Sequence, residues 1–261
     1  MKKALFFDID GTLVSFDTHK IPTSAIKALE AAKANGAGIF IATGRPRQLV
    51  NNLQEIEHLI DGYITTNGGY SFIGKKVVKC VPIPHEDALK LVQLSSELHF
   101  PAMIVGVNSL TVINPDEQVD VIFKQLLNVP TLGLENKIEC VLQQDILQLT
   151  PIITQEQEDN IMPQLPGCIS ARWYPSFTDI TARGADKGRA LMSMVRYLQL
   201  DIEKDVIAFG DGGNDMPMLK TAGIGVAMGN AVEKVKDIAN YVTTTVDNDG
   251  IYNALVHLNI I

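Results

Sequence analysis

The sequence predicts an α/β protein built on a doubly wound parallel core sheet, with an α+β block inserted in the chain. Three observations lead there. Short continuous apolar runs alternate with helix-period segments at both ends of the 261-residue chain. Between about residues 82 and 181 that alternation gives way to paired strand-like runs with helices between them. The same stretch carries 4 Lys and Arg against 13 Asp and Glu, whereas the remainder carries 18 against 17. These changes divide the chain into a core at 1–81 and 182–261 and a separate unit at 82–181.

In order, Lys3–Ile9 is an apolar run of strand length, as expected of a strand buried on both faces of a parallel sheet. A helix is expected over Thr23–Asn35, with Pro22 near its start and Gly36 as its stop. Ala37–Ala42 is the next buried strand, a helix is expected from about Pro46, and Gly62–Thr66 is a third strand. Tyr70–Cys80 reads as a hairpin around Gly74. The middle block reads as a helix (Glu86–Leu98), strands (Ala102–Val107 and Leu110–Ile113), and a helix from about Pro115 to Leu127. Strands near Ile138–Leu142 and Gln148–Thr154, a helix near Gln155–Met162, and strands Ile169–Tyr174 and Thr178–Ala182 complete it. After Gly184 come a helix (Asp186–Leu198), a buried strand (Asp205–Phe209), a helix (Asp215–Thr221) and a strand (Gly223–Met228). The helix Ala231–Ala239, the short strand Tyr241–Thr244 and the helix Asn248–His257 close the chain.

Composition excludes several classes. With 46% hydrophobic and 20% charged residues the chain is an ordinary globular one, neither disordered nor fibrous. No apolar run approaches the roughly 18 residues that span a bilayer. The basic-then-apolar start meets Asp8 too soon for a signal peptide, so a cytoplasmic protein is expected. Cys80, Cys140 and Cys168 have no metal-site spacing and read as small buried hydrophobes in a reducing compartment. The net charge of −8 argues against nucleic acid and against an anionic membrane surface as partners.

Ligands in open α/β sheets gather at the carboxyl ends of the strands, and four unusual clusters fall there. Asp8-Ile9-Asp10-Gly11-Thr12 ends the first strand with two carboxylates at i and i+2, a costly pairing unless a cation or a proton intervenes. Thr43-Gly44-Arg45-Pro46 ends the second strand and offers a hydroxyl and free N–H groups at a helix start. Lys187-Gly188 places a cation early in a helix, against the dipole, which suggests a functional charge. Gly210-Asp211-Gly212-Gly213-Asn214-Asp215 supplies two carboxylates and an amide on a freely turning backbone. Singly, these can also be read as turns, a helix cap and a surface lysine, although the acidic and amide groups of Gly210–Asp215 exceed what a cap needs. Together they make an oxygen-rich site suited to magnesium, with Lys187, Thr43 and N–H groups for a phosphate dianion. No histidine lies in any cluster, and neither GxxxxGK[ST] nor GxGxxG occurs.

In this order and spacing the clusters resemble the four motifs of the haloacid dehalogenase (HAD) superfamily, in its Cof-type subclass IIB sugar-phosphatase branch, across the whole chain. The resemblance implies a Rossmann-like core and an α+β cap domain inserted between the Thr and Lys motifs, with substrate specificity set by the cap. It implies an aspartyl-phosphate mechanism: Asp8 as nucleophile and Asp10 as general acid, then base. Mg²⁺ would be held by Asp8, the Asp10 backbone carbonyl and Asp211, with Asp215 in or near its shell. Thr43, Gly44, Lys187 and the backbone near Asp10 would serve the phosphoryl group, Asn214 would help to position it or Lys187, and the partner would be a small phosphorylated metabolite, with sugar phosphates first.

The chain departs from the family pattern at Gly213, in the approach to Lys187 through Arg183 to Asp186, and at Asn67-Gly68-Gly69, which resembles the branch's NGA element. Asn67, Arg45 and Arg183 are candidate substrate contacts, against the plainer reading of both arginines as surface residues. A phosphomannomutase-like phosphotransferase shares the first motif and cap position, but no second basic cluster is evident for a distal phosphate. A catalytically silent binding protein on the same fold would not need both Asp8 and Asp10.

Overall fold

In the computed structural model, residues 2–122 and 136–261 are described, with the side chain of Trp173 left aside. The strands in chain order are β1 (Lys3–Phe7), β2 (Ala37–Ala42), β3 (Ile60–Thr65), β4 (Tyr70–Ile73), β5 (Lys76–Cys80), β6 (Ala102–Gly106) and β7 (Leu110–Ile113). They continue with β8 (Ile146–Pro151), β9 (Cys168–Tyr174), β10 (Phe177–Ala182), β11 (Val206–Gly210), β12 (Ile224–Ala227) and β13 (Tyr241–Val242). Two compact units emerge. One comprises Met1–Arg45, Val50–Cys80 and Asp186–Ile261, and the other Pro46–Leu49 and Val81–Ala185.

The first unit is a sheet in the order β13-β12-β11-β1-β2-β3-β4-β5. Strands β13 to β3 pair in parallel, and β4 and β5 add an antiparallel edge. The apolar runs lack alternation because both faces are covered. Leu5 and Phe7 pack on one face with the helices Thr23–Ala34 and Gly250–His257. Ala4 and Phe6 pack on the other with Lys187–Leu198 and Met216–Thr221. Stacked ring pairs tie the central strands on each side: Phe7 with Phe209 at 4.5 Å between centroids, and Phe6 with Phe40 at 4.8 Å. Register fixes what comes next. Phe7 lies opposite both Ile41 and Phe209, so the residues that follow β1, β2 and β11 emerge at one edge.

The second unit is an antiparallel sheet in the order β7-β6-β8-β10-β9. Ile104, Leu149 and Ile180 face the helices His85–Leu98, Ile138–Leu142 and Gln155–Ile161, and Met103, Val105 and Phe177 face the other way. Among the described residues, no helix is long and apolar enough to cross a membrane.

Several expected elements differ. Ile138–Leu142 is a helix, not a strand, because Ile138, Val141 and Leu142 follow the i, i+3, i+4 spacing that buries one helical stripe. The helix expected from Pro46 is a single 3₁₀ turn, Arg47–Leu49. It stops there because Leu49 joins the apolar cluster of the second unit and the Gln48 amide donates to the Gly106 and Val107 carbonyls. Strand β8 covers Ile146–Pro151 rather than Gln148–Thr154. The expected Ala231–Ala239 helix is a single turn, Glu233–Lys236. Of the Pro115–Leu127 helix, Glu117–Val119 is helical, and the stretch from 123 lies outside the described residues. Of the cysteines only Cys168 is buried, with Cys80 half-buried and Cys140 exposed.

The stacked pair across β1 and β11 predicts the effect of truncation. Phe209→Ala should cost about 3–5 kcal/mol of unfolding free energy, with the cavity adding to lost burial. Urea denaturation checks this, and a loss below about 1 kcal/mol would show that the parallel sheet does not depend on this contact.

Candidate active site

The site grows from the ends of three strands. After β1 the Asp8 N–H donates to the Phe209 carbonyl, which extends the β1–β11 pairing to the first acidic residue. The chain then turns sharply: the N–H groups of Leu13 and Val14 donate to Ile9 O, and Gly11 N–H donates to Val14 O. Gly11 has φ +86°, and a Cβ there would lie 2.3 Å from Asp211 Oδ2. Glycine is therefore required twice, for the backbone and for the approach of the carboxylate. Thr12 Oγ1 donates to Asp211 Oδ1 at 2.8 Å, and the Asn230 amide donates to Gly11 O at 2.8 Å.

After β11 the turn closes on Asp215. One carboxylate oxygen accepts from the N–H groups of Asp211 and Gly212 at 3.0 and 2.8 Å. The other accepts from Lys187 Nζ at 2.6 Å. The same ammonium donates to Asp8 Oδ1 at 2.6 Å, and its side chain is wholly buried. Lys187 is thus no surface lysine. It is the first residue of the helix Lys187–Leu198, whose N-cap Asp186 accepts from Arg189 N–H. A buried ammonium without a carboxylate would be prohibitively costly, and here it has two.

After β2, the buried Thr43 hydroxyl accepts from Arg45 N–H at 3.0 Å, and a Cβ on Gly44 would lie 3.1 Å from Asn67 Oδ1. The Arg45 guanidinium grips Asp10 with two bonds of 2.8 Å, Nε to Oδ2 and Nη2 to Oδ1. The plain surface reading of Arg45 is corrected: register between β1 and β2 brings residues 35 apart in sequence together as a bidentate pair. Asn214 Nδ2 donates to Asn67 Oδ1 at 2.9 Å. Asp8, Asp10, Thr43, Gly44, Arg45, Asn67, Lys187, Asp211, Asn214 and Asp215 all belong to the first unit. Arg183 belongs to the second, where its Nε donates to Pro166 O. Thr12 and Asn230 carry no role in the sequence reading. Thr12 stands inside a quoted motif, whereas nothing around Asn230 signals a contact over 219 positions.

The pattern of the haloacid dehalogenase-like hydrolase family matches residues 5–255. The chain belongs to the haloacid dehalogenase-like hydrolases. Among solved structures it is similar to the HAD subclass IIB sugar phosphatase BT4131, with 46% identity, a TM-score of 0.90, and coverage of 99% of this chain and 100% of that one. BT1666 from Bacteroides thetaiotaomicron, a phosphatase of the same superfamily, is 38% identical with a TM-score of 0.86, covering 100% and 96%. The 5-amino-6-(5-phospho-D-ribitylamino)uracil phosphatase YitU of Bacillus subtilis is 27% identical over 94% of this chain and 93% of its own. The present hydrolase is a phosphatase.

The electrostatics of this haloacid dehalogenase-like hydrolase show a deficit of positive charge. Ligand atoms of Asp8, Asp211 and Asp215 lie within 4.8 Å of one another, and the one ammonium of Lys187 bonds Asp8 and Asp215. At such spacing two like charges repel by about 4 kcal/mol even at an effective dielectric near 20. Burial, then the Asp215 charge, push the Asp8 carboxyl well above the usual carboxylate range, against the pull of Lys187. Burial and Asp215 likewise raise Asp211 to about 7, opposed by the Thr12 hydrogen bond and by Lys187. Burial alone would lower Lys187, but the charges of Asp215 and Asp8 prevail and hold its ammonium above the ordinary value. Three hard-oxygen donors converging with more negative charge than one ammonium balances fit a divalent ion such as Mg²⁺.

A pH dependence follows. The unfolded Asp211 releases its proton near 3.8 and the folded metal-free one near 7, so its stabilising contribution is complete below 3.8 and is lost as pH rises to 7. Below 7 a metal must also displace that proton. Thermal melting with and without Mg²⁺ should therefore show a larger rise in Tm at pH 8 than at pH 5.5. An equal rise at both would remove the carboxylate cluster as the binding locus.

Proposed function

We propose that this phosphatase hydrolyses small phosphorylated metabolites, with hexose or other sugar phosphates first, through an aspartyl-phosphate on Asp8. The observation that carries the reading is the buried Lys187, bonded to Asp8 and Asp215 beside Asp211. Similarity to a described sugar phosphatase at 46% identity supports the substrate class.

Asp8, Asp211, Asp215 and the Asp10 backbone carbonyl are the groups that would hold Mg²⁺. The ion would supply positive charge to the nucleophile and the phosphoryl oxygens, a repulsion otherwise worth several kcal/mol. Lys187 holds the Asp8 carboxylate in place and, with the Thr43 hydroxyl, Gly44 and the backbone near Asp10, binds the phosphoryl oxygens, while Asn214 helps to position them. Asp8 attacks phosphorus in line, forming one O–P bond as the ester P–O bond breaks. Asp10 gives its proton to the departing oxygen, then takes one from the water that cleaves the acyl phosphate. Between those steps Arg45 can hold the Asp10 carboxylate by both oxygens. Residues 82–181 act as the cap that selects the leaving group.

The test is a panel of phosphorylated metabolites with Mg²⁺, following free phosphate and isomerised sugar phosphate together. Phosphate release from sugar phosphates is expected, and isomer formation without it would make the protein a mutase. Asp8→Asn should abolish turnover with the melting curve unchanged, and retained activity would remove Asp8 as nucleophile. Arg45→Ala should lower kcat/KM for an alkyl ester by about 10- to 100-fold, and for p-nitrophenyl phosphate by under about threefold, since a good leaving group needs no proton from Asp10. Equal losses on both esters would sever Arg45 from proton transfer.

A further inference from the structure

Just after β3 three consecutive residues have left-handed backbone: Thr66 at φ +49°, Asn67 at +51° and Gly68 at +93°. Asparagine and glycine tolerate this region, but a β-branched threonine does not, and it persists there only when its surroundings over-determine it. Those surroundings are three of the four motif segments. Thr66 N–H donates to Arg45 O and Asn67 N–H to Thr43 O, both at 3.1 Å. Asn67 Oδ1 accepts from Asn214 Nδ2 at 2.9 Å. Gly68 lies so close to the start of the Lys187 helix that a Cβ would sit 2.2 Å from Asp186 O and 3.0 Å from Lys187 N.

Consecutive N–H groups in a turned backbone converge and often bind an anion. Here both are spent on backbone carbonyls, so they are not left for a phosphoryl oxygen. The side-chain oxygen of Asn67 is likewise committed to Asn214. We infer that the Thr66–Gly68 turn is a clip that registers the Thr43, Lys187 and Asn214 segments against one another, and that Asn67 is its positioning residue rather than a substrate contact. The inference rests on the phosphatase reading of the site but not on which ester is cleaved.

The experiment is a double-mutant cycle of Asn67→Gly, which keeps the left-handed backbone, with Asn214→Ala. It is read with Mg²⁺ on p-nitrophenyl phosphate and on glucose 6-phosphate. Each single variant should lower kcat about 10-fold on both esters with KM within about twofold, and the double should fall no more than about twofold below the weaker single. Losses that multiply to about 100-fold, wild-type rates in N67G, or a KM rise confined to the sugar ester would each overturn the clip. Asn67→Ala, which disfavours the left-handed backbone, gives a readout apart from activity. Hydrogen exchange at 43–45 and 66–68 should accelerate together in that variant. Unchanged protection at 43–45 would overturn the inference even if the wild type cleaves neither ester. If N67A does not fold, the N67G cycle decides.

Discussion

One buried ammonium organises the acidic site. Lys187 contributes no exposed surface, and its two short bonds go to carboxylates from different strand ends, Asp8 after β1 and Asp215 after β11. Removing it would leave the buried Asp8 and Asp215 carboxylates without their cation and beside a half-buried Asp211, a far larger penalty than any single hydrogen bond offsets. Its partners are fixed in turn. Asp215 is tied to its own turn by two backbone N–H groups, and Asp8 continues the sheet pairing through Phe209 O. A side chain that is a poor choice for a helix start is thus the one that allows two acidic strand ends to converge.

The glycines at this edge serve the same end. Gly11 admits the Asp211 carboxylate, and Gly210 admits the Asp215 side chain, whose Cβ would be 2.5 Å from one placed on Gly210. Close approach of carboxylates to backbone supplies the N–H donors that partly offset their desolvation. The remaining deficit is borne by raised carboxyl values at Asp8 and Asp211, and it is the physical reason that a hard cation suits the cluster.

Much of this was legible in the sequence because the signals are local. Apolar runs that stop abruptly at Asp8, Thr43 and Asp211 mark strand ends, and a parallel sheet brings such ends to one edge. What was not legible depends on register or on competing periods. The Arg45–Asp10 pair follows from Phe7 facing Ile41, which neither segment encodes alone. Ile138–Leu142 satisfies both a strand and a helix pattern within five residues, and only packing around Val141 decides. The left-handed Thr66 violates its own propensity, and a residue held against its preference is invisible to propensity by construction.

The short Pro46–Leu49 segment has a bearing on modular exchange. Leu49 fills the cluster beside Met103 and Val105, and Gln48 ties itself to Gly106 and Val107, although these residues lie more than thirty positions upstream of the rest of their unit. A transplant cut only at 81 and 185 would leave that apolar face short of one side chain and one backbone tether. Moving this unit whole between relatives therefore calls for two segments and four cut points, with the few residues behind Arg45 travelling with the larger block.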